Sequence, residues 1–296
     1  MPELPEVETI RRHLAPHVEG RVLEALEVLD ARWCSPVAGD EIAAAVEGRR
    51  VEALARRGKY LIWDLEDDVH LMLHLRMTGN LLLDPPEPPR YRRVRFGFDG
   101  GRELYFDDPR RFGTGELALG REARDAFLAA RLGVEPLGPD FTSAHLFALT
   151  RTSRAPIKAL LLDQRKVAGV GNIYADEALF RAGVHPLRPA NRLTRRQVAA
   201  LREGVLASLE EGLAAKGASI DDFRHPDGVE GTFQERFLIH LREGEPCLVC
   251  ERPVRKLRAA GRGTYVCERC QPRPRRLQAA TRRSASRPER SATASS

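Results

Sequence analysis

Lysine is scarce in this 296-residue chain: of 48 basic residues only five are lysine, namely Lys59, Lys158, Lys166, Lys216 and Lys256. Arginine is almost never deprotonated, whereas a lysine amine can be tuned to do chemistry, so each retained lysine is informative. No apolar run approaches the roughly 18–20 residues of a membrane span, which argues against a membrane protein. The first residues, Met1-Pro2-Glu3-Leu4-Pro5-Glu6, carry neither a basic start nor an apolar stretch, so no secretory signal is expected. Repeats at solenoid-like spacing are also missing. With 42% apolar and 30% charged residues and a mean hydropathy of −0.38, the composition is that of a globular protein with room for one large or two medium domains.

A net charge of +6 invites a nucleic-acid reading, but its placement matters more than its size. Residues 271–296 hold seven arginines against one glutamate. Residues 1–130 carry 19 basic and 24 acidic groups, and residues 131–270 carry 22 and 17. The body is therefore nearly neutral, with an acidic front half and a basic back half.

Periodicity divides the chain. Val7, Ile10 and Leu14 share one face of a helix over Pro5 to His17, with acids near its start where the helix dipole favours them. From Val22 to Phe106 the period becomes two, with clear strands at Tyr60–Leu65, His70–Leu75 and Tyr91–Phe98, interrupted by a short helix over Asp40–Val46. A β-sandwich or barrel with a helix packed at its start follows. After about residue 120 the pattern is helical, with candidates at Thr142–Arg151, Pro156–Asp163, Asn172–Ala182 and Thr194–Lys216, the last capped by Thr194. The Ser-, Arg-, Ala- and Pro-rich end lacks periodicity and reads as a disordered tail.

Cys247-x2-Cys250-x16-Cys267-x2-Cys270 has the spacing with which two knuckles supply four thiolates to one tetrahedral zinc. Four thiolates leave no open position, so such a metal is structural. Two disulfides or unligated thiols are the alternative, and Cys34 reads as a core thiol. Between the pairs, Gly261-Arg262-Gly263-Thr264 reads as a hairpin tip able to present one arginine to a phosphate, or simply a solvated turn. Gly169-Val170-Gly171-Asn172 joins two helices; Asn172 suits a cap, and the following helix N-terminus suits a phosphate, with Lys158 as a nearby cation. A Met-Pro start can expose a secondary amine once the methionine is removed. An α-amine has a reference pKa near 8 and so retains a neutral fraction at physiological pH. That amine can attack a sugar carbon, with Glu3 and Glu6 close in sequence as acid and positioning group.

Pro2-Glu3-Leu4-Pro5-Glu6-Val7-Glu8-Thr9, Gly58-Lys59-Tyr60-Leu61, Asp108-Pro109-Arg110-Arg111-Phe112-Gly113, Asp163-Gln164 with Ala168–Ala175, and the four-cysteine ribbon occur in that order. Together they closely resemble the formamidopyrimidine-DNA glycosylase family of base-excision repair, over residues 2–271. The resemblance implies a multi-domain α+β protein: a catalytic N-terminal helix and two-layered β-sandwich (1–130), a helix–two-turn–helix domain with a lesion loop (131–232), a zinc-ribbon hairpin (233–271), and the basic tail (272–296). It implies a bifunctional glycosylase and abasic-site lyase for 8-oxoguanine and formamidopyrimidines, acting on double-stranded DNA as a monomer in the bacterial cytosol, with one structural Zn2+. Pro2 matches the family's nucleophile, Glu3 its proton donor and Lys59 its second essential cation. Arg262, counted with the catalytic set, also matches the phosphate clamp together with Lys158 and Asn172. Met77, Arg110 and Phe112 match the triad that fills the hole left by a flipped base; Arg92 and Glu6 complete the expected DNA contacts. Gly217–Thr232 matches the lesion-capping loop.

Tyr91-Arg92-Arg93 stands where the family commonly shows a His-Asp-His-like element, which puts DNA contacts from this strand in doubt. Leu4, in place of the glycine usual in the endonuclease VIII branch, points to oxidised purines rather than pyrimidines. Two other readings stay open on the sequence: an endonuclease VIII-like enzyme for oxidised pyrimidines, and a non-catalytic binder of damaged DNA.

Overall fold

The computed structural model describes residues 1–219 and 231–274. Most of the expected lesion loop and nearly all of the expected tail lie outside the described residues. The chain opens with α1 (Leu4–Val18), which has proline in its first turn and a reciprocal capping box between Glu3 and Glu6. Val7, Ile10, Leu14 and Val18 recur at helical spacing and are all buried against the strands that follow. Leu4 faces the other way and belongs to the helical core of the second half. The first turn of α1 is thus wedged between the two halves of the molecule.

The strands form two four-stranded antiparallel sheets. One runs β1 (Leu23–Val28), β6 (Arg92–Phe98), β7 (Arg102–Asp107), β5 (Asn80–Leu83). The other runs β2 (Val51–Arg57), β3 (Tyr60–Leu65), β4 (Val69–His74), β8 (Thr114–Leu119). Alternation sends Leu61, Trp63 and Leu65 inward, where Trp63 stacks on Phe96 and Phe98 of the facing sheet. This is a sandwich, with α2 (Gly39–Val46) alongside. Cys34 is buried in this core. The strand β8 lies beyond Phe106, where period two was expected to end. Its Gly115 explains the weak signal, because a Cβ there would sit 2.1 Å from the Trp33 ring.

After α3 (Arg121–Ala129) come α4 (Ser143–Arg151), α5 (Ile157–Leu162), α6 (Asn172–Arg181) and α7 (Arg195–Ala214). Thr142 caps α4, and Thr194 caps α7 through a capping box with Gln197. Two expectations are corrected. The residue that caps α6 is Gly171, and Asn172 is the first helical residue. The hairpin of β9 (Arg255–Ala259) and β10 (Arg262–Val266) turns at Ala260 and Gly261, both at positive φ, so Gly263 and Thr264 are strand residues. Among the described residues no helix is long and apolar enough to cross a membrane.

Candidate catalytic centre and nucleic-acid interface

Three segments distant in sequence meet at the start of α1. The Leu4 N–H donates to the Gly169 carbonyl (3.1 Å), locking the N-terminus onto the turn between α5 and α6. Gln164 shapes that turn: its amide nitrogen donates to the Leu162 and Val170 carbonyls and its oxygen accepts from the Gly169 N–H. Glu3 then reaches the first turn of α6, where Oε1 accepts from the Ile173 N–H at 3.0 Å, while Oε2 is buried with no hydrogen-bond partner among the described residues. The approach is so close that a Cβ at Gly171 would lie 2.2 Å from the Glu3 carboxyl carbon, so only glycine fits there. A buried carboxylate oxygen left unsatisfied is costly, and it leaves an acceptor available at this point beside the N-terminus. Pro2 is buried beside it.

Glu6 is 2% exposed. Its Oε2 accepts from the Glu3 N–H, and its Oε1 accepts from the Tyr174 hydroxyl (2.7 Å) and the Ala218 N–H (2.8 Å). Burial, reinforced by neighbouring Glu3, raises its pKa despite those donors. The expected DNA contact from Glu6 is therefore corrected. Both oxygens are committed within the protein, joining the α1 N-terminus to Tyr174 on α6 and to Ala218 beyond the end of α7.

Lys59 sits in the β2–β3 turn and is only 4% exposed. Burial pushes its pKa down, aided by the Arg262 charge and opposed by Glu3 and Glu6. Lys59, Glu3, Glu6 and Arg262 thus share one electrostatic environment, although they come from three separate parts of the chain. The turn is held by Glu135, which accepts from the Arg56 and Arg57 guanidinium groups and from the Gly58 N–H (3.0 Å). Beside Lys59 a cavity of about 240 Å³ is lined by Tyr60, His74, Arg76, Arg131, Leu132 and Gln164. The Nδ1 of His74 accepts from the Arg76 N–H (2.9 Å), which leaves Nε2 to carry the ring proton. Burial, with Arg76 and Lys59 nearby, holds the pKa of His74 down to about 3, so the ring is neutral. His74, Gln164 and Glu135 all escaped selection from the sequence. The signal for Gln164 was its place beside Asp163 ahead of the glycine turn, and for His74 its place in the His70–Leu75 strand; Glu135 had none.

Lys158 requires a second correction. Its side chain is fully buried, and Nζ donates to Asp176 Oδ1 (2.6 Å) and Thr264 Oγ1 (2.8 Å). It cannot meet a phosphate from there; instead it braces β10 against α6. Asp176 also accepts from His240 Nδ1, and Asn172 Nδ2 donates to the Gly263 carbonyl (3.1 Å). These bonds seat the hairpin so that Arg262, exposed at the start of β10, stands near Lys59. Asn172 Oδ1 is buried without a partner among the described residues.

Met77, Arg110 and Phe112 are not core residues. Met77 is half-buried, Phe112 is 51% exposed, and the Arg110 guanidinium stacks 5.0 Å from the Phe112 ring centroid. Arg111 between them adopts positive φ and turns away to Asp30 (2.5 Å). Arg92 is exposed and donates to the Pro89 carbonyl, whereas Arg93 is engaged with the Asp108 carbonyl.

The Sγ atoms of Cys247, Cys250, Cys267 and Cys270 all lie within 4.8 Å of one another. Tetrahedral zinc with Zn–S bonds near 2.3 Å requires sulfur separations of roughly 3.8 Å. The separations of 3.9 Å between Cys247 and Cys270, and 3.4 Å between Cys250 and Cys267, are much longer than a disulfide. The four thiols fit one structural zinc ion.

Comparison with known proteins agrees with this geometry. The formamidopyrimidine-DNA glycosylase N-terminal domain matches residues 1–115, its H2TH domain residues 132–224, and a zinc finger found in FPG and IleRS residues 244–273. Formamidopyrimidine-DNA glycosylases of Chloroflexus aurantiacus and Thermus thermophilus are 44% and 45% identical, each over 92% of this chain and 98% of its own length. The crystal structure of MutM (Fpg) from Thermus thermophilus superposes with a TM-score of 0.84 at 44% identity, covering 92% of this chain and all of that one. Lactococcus lactis Fpg bound to DNA containing an abasic site gives 0.85 at 33% identity with the same coverage. This chain belongs to the formamidopyrimidine-DNA glycosylase family.

Proposed function

We propose that the protein is a base-excision repair enzyme that removes oxidised purines from double-stranded DNA and cleaves the resulting abasic site. The observation that carries this reading is the buried Glu3 carboxylate, unpartnered at one oxygen and adjacent to Pro2. In the chain as translated the Pro2 nitrogen is an amide, so removal of Met1 must precede catalysis. The freed secondary amine attacks the deoxyribose C1′, and the bond to the base breaks with its electron pair leaving on the base. The proton of the attacking amine passes to the Glu3 carboxylate, which delivers it to the ring oxygen; the C1′–O bond breaks, opening the sugar and leaving an iminium on Pro2. Loss of a C2′ proton then expels the 3′-phosphate, and a second elimination expels the 5′-phosphate. We assign to Lys59, whose pKa burial lowers, and to Arg262 the role of cations that meet those leaving groups. Asn172, with its free Oδ1, and Arg262 hold the backbone, Arg92 extends that contact, and Met77, Arg110 and Phe112 fill the gap left by the flipped nucleotide.

The zinc takes no part in these steps; its four thiolates give the hairpin the rigidity that Arg262 needs. We also assign the catalysis to residues 1–130, DNA holding to 131–232 and 233–271, and the workplace to the bacterial cytosol, since the related enzymes are bacterial. Lactococcus lactis Fpg has also been captured on DNA containing an oxidised pyrimidine, so an oxidised-pyrimidine substrate is the second reading. Borohydride trapping on duplexes bearing 8-oxoguanine opposite cytosine, or thymine glycol, separates the two. A covalent adduct is expected with the Met-free protein, fastest on 8-oxoguanine, and absent from protein that retains Met1, where the Pro2 nitrogen is an amide. No adduct from protein whose intact mass shows Met1 removed would overturn the assignment.

A further inference from the structure

The triad is carried on two separate loops: half-buried Met77 on the turn after β4, and exposed Arg110 and Phe112 on the turn after β7. One buried side chain ties them together. Asp108 is fully buried, and its Oδ1 accepts from the Thr78 hydroxyl (2.5 Å) and the Arg110 N–H (3.2 Å). Its Oδ2 accepts from the Phe112 and Gly113 N–H groups, each at 2.8 Å. A single carboxylate therefore holds three backbone donors of one loop and the one hydroxyl that follows Met77 on the other. Its own backbone is fixed too, because its N–H donates to the Tyr91 carbonyl and its carbonyl accepts from Arg93 Nε.

A base step is opened only if the groups filling it arrive together, because a half-filled gap loses stacking on one side without replacing it. Charge-assisted bonds to a buried carboxylate are short and directional, and their loss strands several donors at once. We infer that Asp108 is a positioning residue that makes the Met77 turn and the Arg110–Phe112 turn move into the duplex as one rigid wedge. Thr78 is the link between the loops, and the three N–H bonds set the arginine and the aromatic ring on the same side. This inference rests on the wedge role proposed above for Met77, Arg110 and Phe112.

Thr78→Val cuts only the link and leaves the three N–H bonds, so it is the variant least able to disturb folding; Asp108→Asn removes the charge and puts an amide among donors. The two are measured against Met77→Ala and Phe112→Ala in three assays: single-turnover excision from an 8-oxoguanine duplex, scission of single-stranded DNA containing an abasic site, and fluorescence of 2-aminopurine opposite the lesion, which reports wedge insertion. One lost buried bond corresponds to about a tenfold effect. Thr78→Val is expected to slow excision and insertion by about that factor, and Asp108→Asn by more. Both should leave single-stranded scission within about twofold, since no stack is opened there. If Met77→Ala and Phe112→Ala impair insertion while Thr78→Val and Asp108→Asn do not, the coupling role is wrong. If none of the four affects insertion, the wedge reading itself fails. Equal losses on single-stranded and duplex DNA would reduce Asp108 to a general fold residue.

Discussion

Lys59 is an amine that the fold holds at a cost. Burial lowers its pKa from the ordinary 10.5, so the unfolded chain binds that proton more firmly than the native one. Stability linked to Lys59 therefore rises as pH climbs through the folded pKa toward 10.5, and at neutral pH the charge works against folding. Lys59→Met is expected to raise the melting temperature at pH 7 while suppressing strand scission, the exchange of stability for activity typical of catalytic positions. Thermal melts beside single-turnover cleavage test this; a destabilised, active variant would contradict it. His74 acts on the acid side. Its folded pKa of about 3 lies below the ordinary 6.5, so protons favour the unfolded state throughout that interval. Stability should fall as pH drops from 6.5 toward 3, by at most about 1.4 kcal/mol per pH unit from this group. His74→Gln should flatten that limb in urea titrations, leaving the part due to His185, whose pKa burial holds near 4.

At the scale of elements, the docking of the hairpin onto α6 depends on a buried ion pair. Breaking such a pair by removing one partner strands the other charge, at roughly 3–5 kcal/mol. Lys158→Met should lower stability by about that amount, and the double variant Lys158→Met, Asp176→Leu should recover part of it, whereas single surface losses would simply add. Denaturant unfolding of the four proteins in the cycle measures the coupling. That Lys158 had this role was not legible in the sequence, because Thr264 is 106 residues away and a lysine beside a glycine turn looks equally apt for a phosphate. The elements themselves were far more legible. The Tyr60–Leu65 strand reads to the residue from its alternation, and the start of α7 from its cap Thr194, since periodicity and caps are local properties. The zinc set was legible for the same reason: four thiols in two close pairs. What stayed hidden was determined by partners across the fold. The strand with Gly115 is shaped by the Trp33 ring against it, and the commitment of Glu6 is made by Tyr174 and Ala218, 168 and 212 residues away.

For the whole molecule, the charge signal separates into parts with different tasks. The N-terminal half is acidic and holds the reacting groups; its cation Lys59 is buried, so it contributes chemistry more than attraction. The second half is basic and presents Arg262 to the outside. Residues 275–296 add six arginines against one glutamate and no group of the catalytic set. Charges free of specific geometry bind DNA by releasing counterions, each phosphate neutralised contributing about −0.9 to the slope of log affinity against log salt. Removing residues 275–296 should therefore make that slope shallower by up to about 4.5 on undamaged duplex, and weaken binding most at low salt. Arg273, bonded to Glu268 in the ribbon, is retained by this truncation. The single-turnover excision rate at saturating protein should be unchanged, because the truncation leaves Pro2, Glu3, Lys59 and Arg262 in place. Salt titrations by fluorescence anisotropy, paired with excision assays on full-length and truncated protein, distinguish the two effects. A truncated protein with unaltered salt dependence but slower excision would mean that the terminal arginines act at the lesion rather than along the backbone.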